Sequence, residues 1–289
     1  YNQLGTIGFS RMLMQNPNDV VYYGLNWIFS HLGIPWQVYL LLFSMFTMYV
    51  VIKWCNEYSD MPFLSIMIFM VFLFPAWESA MRQGLAMCFV YLGYIALDKG
   101  KIKKGIALYI LSFFCHQTVI FFVPFFFIRK IRITDKVIAI YLISTVALYA
   151  LSTRVWSIIN TVAGFFGRNQ YGEFWHERPT HFIAFIVLLL VAALFFFRRD
   201  YNEDQKAAEC IHAMFWSVML LAFSGGTNLR LCYYYAIFAC ILIPRILTHI
   251  KPVQMSKVIV GLAFLALFLT TVDTTYYFYW QEAVGVYGG

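Results

Sequence analysis

Long apolar runs alternate with short charged or turn-forming stretches along this chain. The runs cover Trp36–Lys53, Met61–Pro75, Gly84–Leu97, Val137–Ser152, His181–Phe197, Cys210–Phe223, Leu231–Leu247 and Val258–Val272. A membrane-crossing helix needs about 20 mostly apolar residues, so each run predicts a span, several of them short. The run Gly105–Ile128 has the length of one span but conflicting flanks. Lys101, Lys103 and Lys104 precede it, and Arg129, Lys130 and Arg132 follow it. A single crossing would leave a basic cluster on each side of the membrane, against the positive-inside rule. Two half-helices, Gly105–Cys115 and Thr118–Ile128, remove the conflict. The spacing predicts a re-entrant pair at 105–128, with Phe114-Cys115-His116-Gln117 as its outward tip. Such backbone is tolerated only where protein or a wet cavity satisfies it.

Composition settles the class. Of 289 residues, 62% are hydrophobic and 12% charged, and mean hydropathy is +0.70. Soluble domains hold about 45–50% apolar and about 25% charged residues, so a soluble globular protein is excluded. The expected fold is all-α, a polytopic integral membrane helical bundle forming one domain over 1–289. Net charge is +7, yet with this hydropathy it reads as a topology signal, and nucleic acid is not an expected partner. The six cysteines show no CxxC spacing and read as buried free thiols. No metal cluster, P-loop or GxGxxG is present, and no metal or cofactor is expected. The chain starts at Tyr1 without Met or a signal-peptide pattern, so an N-terminal piece is expected to precede it.

The hairpin reading sorts the charges. The inner side receives 15 of the 21 basic residues, including all ten lysines, and the outer side only Arg11, Arg82, Arg154, Arg168, Arg178 and Arg230. The polar residues of interest therefore face out, among them an outward loop at 153–180 that is too polar and aromatic for a plain linker. Glu78 and Arg82 share a helix face, as an ion pair holding a helix end or as part of an anion site. His116 sits among phenylalanines, either packed or able to move a proton near neutral pH. Arg230 opens a span, either snorkelling to headgroups or facing a cavity. Outward arginines, one histidine and many aromatics together describe a cavity for an anionic, sugar-bearing lipid. Arg grips phosphate with two parallel hydrogen bonds and never loses its charge.

Arg82-Gln83-Gly84-Leu85-Ala86, the basic turn Asp98-Lys99-Gly100-Lys101-Ile102-Lys103-Lys104, and Phe113-Phe114-Cys115-His116-Gln117-Thr118 with Pro124 beyond resemble the EpsG-like family. These are bacterial exopolysaccharide and O-antigen polymerases of the Wzy type. Asn228-Leu229-Arg230-Leu231-Cys232-Tyr233-Tyr234 resembles the family's closing Arg…Tyr element. The opening acidic and Tyr elements that such proteins often carry are not visible.

The resemblance implies a multi-pass glycosyltransferase of the bacterial inner membrane with a GT-C-like fold and its site facing outward. It joins undecaprenyl-diphosphate-linked oligosaccharides, serving as donor and acceptor, without metal or nucleotide sugar, and a chain-length regulator is a further expected partner. Arg82 and Arg230, with Arg168 third, are the expected diphosphate ligands. His116 is the expected base, with Glu78 as rival. Gln83, Gln117, Tyr171, Trp175, Tyr233 and Tyr234 are the candidates for sugar contact and orientation. Two other classes compete. A membrane O-acyltransferase needs access to a cytoplasmic thioester, whereas His116 is placed outside. A transporter or flippase of the same glycolipids predicts charges spread across mid-span, whereas these cluster at one face.

Overall fold

The computed structural model describes residues 5–15, 17, 19–74, 77, 80–165, 180–197, 202–224, 229–252, 254, 256–258 and 260–262. Every regular element among them is helical. Two short helices, α1 (Phe9–Gln15) and α2 (Val20–His31), open the chain. Then come α3 (Trp36–Tyr58), α4 (Pro62–Phe72), α5 (Met81–Asp98) and α6 (Ile102–Cys115). A 3₁₀ segment at Gln117–Phe122 leads into α7 (Val123–Ile128). The remainder is α8 (Asp135–Phe165), α9 (Thr180–Phe197), α10 (Gln205–Ser224), α11 (Leu229–Ala236) and α12 (Ala239–Thr248). Three helices are long and apolar enough to cross a membrane, Trp36–Tyr58, Asp135–Ser152 and Gln205–Phe223, and a fourth if α11 and α12 count as one bent span. All six cysteines are free and buried.

The chain turns back at His116, as the basic flanks require. A straight helix over 105–128 would hold its ends about 35 Å apart. Instead Arg129, just past α7, pairs at 2.8 Å with Asp98, the last residue of α5 and four positions before α6 begins. Both ends of the hairpin therefore meet at one end of the bundle. The turn has local causes. His116 is extended (φ −164°, ψ 118°), which stops α6. Pro124 has no N–H to offer to the residue four before it, so the return arm starts as 3₁₀ and becomes α-helical only at Val123. The Tyr109 hydroxyl donates to the Val119 carbonyl at 2.8 Å and ties the arms together. Close approach of α5 and α6 needs two glycines. A Cβ on Gly93 would lie 3.2 Å from the Gly105 carbonyl oxygen, and one on Gly105 would lie 2.5 Å from the Leu97 side chain. Small residues at such crossings let membrane helices pack backbone to backbone.

Two apolar runs depart from the simple span pattern. The run at 231–247 breaks into α11 and α12, bent by 41°. The carbonyls freed by that break are those of Tyr233 and Tyr234, and the buried Tyr91 hydroxyl donates to both, at 3.2 and 3.1 Å. Further on, Pro244 lacks the N–H that would pair with the Cys240 carbonyl, and the Ser65 hydroxyl donates there instead at 2.6 Å. Each interruption is thus satisfied by a neighbouring helix, which an apolar surrounding demands. The other departure is α8. It continues to Phe165, so residues 153–165, expected as loop, are helical; 166–179 lie outside the described residues. Of the run at 258–272, only the first residues are described.

Helix α10 is the centre of the bundle and packs on α8, α9, α11 and α12. Its apolar window is 78% buried, against 11% for that of α8, whose Ile140, Leu142, Ile143 and Val146 face outward. An apolar helix so little covered belongs against lipid. His212 of α10 fixes α8 to the bundle. Its Nε2 donates to the Ile131 carbonyl at 2.8 Å, leaving Nδ1 to accept from the Tyr141 hydroxyl at 2.7 Å. Mid-bundle is aromatic: Trp54, Tyr91, Phe122, Phe125, Tyr235 and Phe238 are all buried.

At the end where Asp98 and Arg129 meet lies a closed set of charges, here called the latch. Asp98 accepts from the Tyr58 hydroxyl at 2.9 Å, from Arg129 at 2.8 Å and from Lys206 at 2.6 Å. The fully buried Glu209 accepts from the Tyr94 hydroxyl at 2.5 Å and from Lys206 at 2.8 Å, with Arg129 at 3.7 Å. Arg129 also lies 4.4 Å over the Tyr94 ring, and Lys206 4.4 Å over that of Tyr58. Buried charges persist only when paired and hydrogen-bonded in this way. The latch joins α3, α5, α10 and the foot of the hairpin.

Candidate functional site

At the opposite end, the tip of the hairpin meets the starts of α5 and α11. Between them is a cleft of about 230 Å³, lined by Tyr22, Ala80, Met81, Arg82, Gln83, His116 and Arg230. Four residues singled out in the sequence thus share one space, although they come from three segments of the chain. Arg82 and Gln83 sit in the first turn of α5, Arg230 in the first turn of α11 and His116 in the break between the hairpin arms. Gln83 is 2% exposed. Its Nε2 donates to the Arg230 carbonyl at 2.5 Å and locks the two helix starts together. A carbonyl partner can only accept, so the amide orientation is determined and Oε1 remains as an acceptor. That Oε1 is buried without a hydrogen-bond partner.

Asp19 joins the cleft from behind. One oxygen lies 2.8 Å from the Arg82 guanidinium and the other 3.4 Å from His116 Nδ1. The Arg82 side chain is 45% exposed, that of His116 24% and that of Asp19 13%. Arg82 also lies over the Tyr23 ring at 5.9 Å. Asp19 occupies the N-cap of α2, where an aspartate commonly accepts from the first-turn amides, yet it makes no such bond. Its carboxylate is turned to Arg82 and His116 instead. Burial pushes its pKa up, but His116 and Arg82 outweigh that and hold it below the ordinary 3.8.

The pattern of a basic, Arg-led α5 start, a His-tipped hairpin and an Arg-led α11 extends over most of the chain, and the EpsG family model matches residues 2–283. The chain belongs to the EpsG family. No curated protein and no solved structure matches it. Membership makes it a polysaccharide-polymerase-type membrane protein, and the helical bundle with its membrane-length helices agrees.

Not every residue expected at the site of this EpsG-family protein lines the cleft. Tyr234 is fully buried and bonds Thr118 at 3.0 Å, which pins α11 to the hairpin. Tyr233 is half-buried one position before it, and Gln117 is half-buried beside His116; neither lines the cleft. Glu78, Arg168, Tyr171 and Trp175 lie outside the described residues. Arg82 has Asp19 as its ion-pair partner.

Asp19 and Tyr22 were missed in the sequence, where no acidic and Tyr element was visible near the start. The signal was there: Asp19 is the only Asp or Glu before Glu57, and it stands just before Tyr22 and Tyr23. Nothing local tells its carboxylate to bypass its own helix, because its partners lie 63 and 97 residues away.

Proposed function

We propose that this protein is an outward-facing glycosyltransferase that joins undecaprenyl-diphosphate-linked oligosaccharide repeat units. The observation that carries the reading is the cleft itself: two arginines, a histidine and a buried glutamine acceptor converge on a space with no lysine in its lining. In this reading Arg82 and Arg230 grip the diphosphate of the donor. The acceptor hydroxyl attacks the donor's anomeric carbon while its proton passes to His116. The bond from that carbon to the diphosphate oxygen breaks, and the electron pair leaves with the diphosphate. Charge grows on the leaving group in the transition state, and fixed cations aimed at growing charge are usually the largest catalytic contribution. The charge comes from guanidiniums, so the transfer runs without a metal. Gln83, bonded to the Arg230 carbonyl, orients the start of α11 toward the sugar and diphosphate. Arg168, Tyr171 and Trp175 complete the sugar and diphosphate contacts from the 153–180 segment.

The orientation belongs to the same reading. The lysine-bearing latch end lies in the cytoplasm of a bacterial inner membrane, the cleft faces out, and the bundle is GT-C-like. A chain-length regulator meets the growing polymer on that outer face. A transport route through the bundle is disfavoured by the aromatic layer of Trp54, Tyr91, Phe122, Phe125 and Phe238 between the two charged ends.

The test is an elongation assay on purified protein with lipid-linked repeat units. His116→Ala is expected to slow transfer about 10²–10⁴-fold while donor binding persists, as for a lost general base. Glu78→Gln, which removes only the carboxylate, is expected to stay active. A dead Gln variant beside an active Ala variant exchanges the two roles. A reporter fused after Gly172 is expected to read as extracytoplasmic; a cytoplasmic signal refutes the orientation.

A further inference from the structure

The cleft has a polar layer behind its lining. Asp19 is not part of the lining, is little exposed, and spends both oxygens on residues that are. A carboxylate clamped by Arg82 and shielded from the cavity is a poor base for a hydroxyl inside it. It is well placed to act on the imidazole in front of it. Resting on the reading above, we propose that Asp19 is the positioning carboxylate of an Asp19–His116 dyad, fixing the ring so that Nε2 takes the acceptor's proton.

The geometry determines the tautomer. Asp19 Oδ1 faces His116 Nδ1, and an ionised carboxylate only accepts, so the hydrogen sits on Nδ1. Nε2 then holds the lone pair, as a base requires. During transfer the hydroxyl proton moves to Nε2, the new glycosidic C–O bond forms, and the old one breaks with its electron pair on the diphosphate. The imidazolium carries a positive charge until it loses that proton to water. Asp19 stabilises this charge, and the present 3.4 Å contact, long for such a bond, tightens as the ring becomes cationic. The same carboxylate neutralises part of Arg82. Its two contacts therefore link the group that takes the proton to the group that holds the leaving diphosphate. The other ionisable groups around the ring are Arg82 at the start of α5, Arg230 at the start of α11, Tyr22 on α2 and the neighbouring Cys115. Among the described groups in this set, Asp19 alone carries a carboxylate. Its forgone N-cap role on α2 is the local cost of this arrangement.

The experiment combines two readouts on the full chain in lipid nanodiscs. Nitrogen-15 NMR of histidine-labelled protein, with His116→Ala to assign the resonance, reads the tautomer directly. Wild type is expected in the Nδ1–H form, and Asp19→Asn is expected to lose that preference, because an amide presents either a donor or an acceptor. In the elongation assay, Asp19→Asn is expected to lower kcat about 10²–10⁴-fold with donor KM within about threefold. Asp19→Glu keeps the charge and recovers part of the rate. A wild-type ring in the Nε2–H form overturns the dyad with no variant at all, so a misfolded Asp19→Asn leaves the question answerable. A raised donor KM with kcat intact overturns it as well and assigns Asp19 to Arg82 alone. Failure of the parent reading looks different: wild type shows the Nδ1–H form but does not extend the lipid-linked substrate.

Discussion

The two ends of the bundle use the same vocabulary for opposite purposes. In the latch, Asp98 and Glu209 meet Arg129 and Lys206, two charges against two, in direct contact. The space left among Trp54, Tyr58, Tyr94, Lys206 and Glu209 is about 10 Å³, no more than one water. In the cleft, Arg82 and Arg230 have one carboxylate nearby among the described residues, that of Asp19, which pairs with Arg82, and about 230 Å³ stands open. Balanced charge without room is cohesion. Excess positive charge with room is an anion site. Arginine and tyrosine occur at both ends, so residue type does not separate them; charge balance and free volume do.

The largest test of that contrast is removal of the cleft's cations. Arg82→Ala and Arg230→Ala are each expected to cut chain elongation by about 10²–10³-fold or more, read as polymer length on gels, with normal protein abundance. Lysine replacements are expected to recover little, because lysine keeps the charge but loses the planar fork. Wild-type polymer in both alanine variants ends the diphosphate clamp.

At the latch the same kind of change should act on folding instead. Glu209→Ala strands Arg129 and Lys206 beside one carboxylate in a buried site, and breaking such a set costs about 3–5 kcal/mol. The expected outcome is a lower melting temperature in detergent and less folded protein in the membrane, with elongation per folded molecule retained. A Glu209→Ala protein that folds normally but does not elongate would erase the distinction between the ends.

The smallest effect concerns acid. Asp19 is held below its ordinary value of 3.8 when folded. A depressed carboxylate stabilises the fold above its unfolded pKa and loses that contribution as pH falls through the folded value. The gap in melting temperature between wild type and Asp19→Asn is therefore expected to persist down to pH 5 and to close below 3.8. A gap that closes already at pH 6 contradicts the sign of the shift.

Much of the architecture was legible as pattern. Apolar runs of span length marked most helices, and basic flanks on both sides of 105–128 demanded a chain that turns back. The errors were local in kind. Residues 153–165 carry loop-like polar residues yet continue α8, because a helix, once formed, propagates through polar residues as well as apolar ones. Tyr233 and Tyr234 follow Arg230 in the sequence and looked like cleft residues. Tyr234 is one helical turn beyond Arg230, on the same face of α11, and packing of that turn against the hairpin buries it and bonds it to Thr118.

The amino-acid sequence alone determined the class, the family and which residue types stand ready for chemistry. Hydropathy, flanking charge and short motifs are properties of neighbouring residues, and neighbours suffice to read them. The tertiary structure decided what each charge does. Asp98 and Asp19 are both single acids beside apolar helices, and only packing sends one to Arg129 in a closed latch and the other to Arg82 and His116 behind an open cleft. Those partners are separated by 31, 63 and 97 residues. Electrostatic energy depends on distance and local dielectric, and neither exists until the helices have packed.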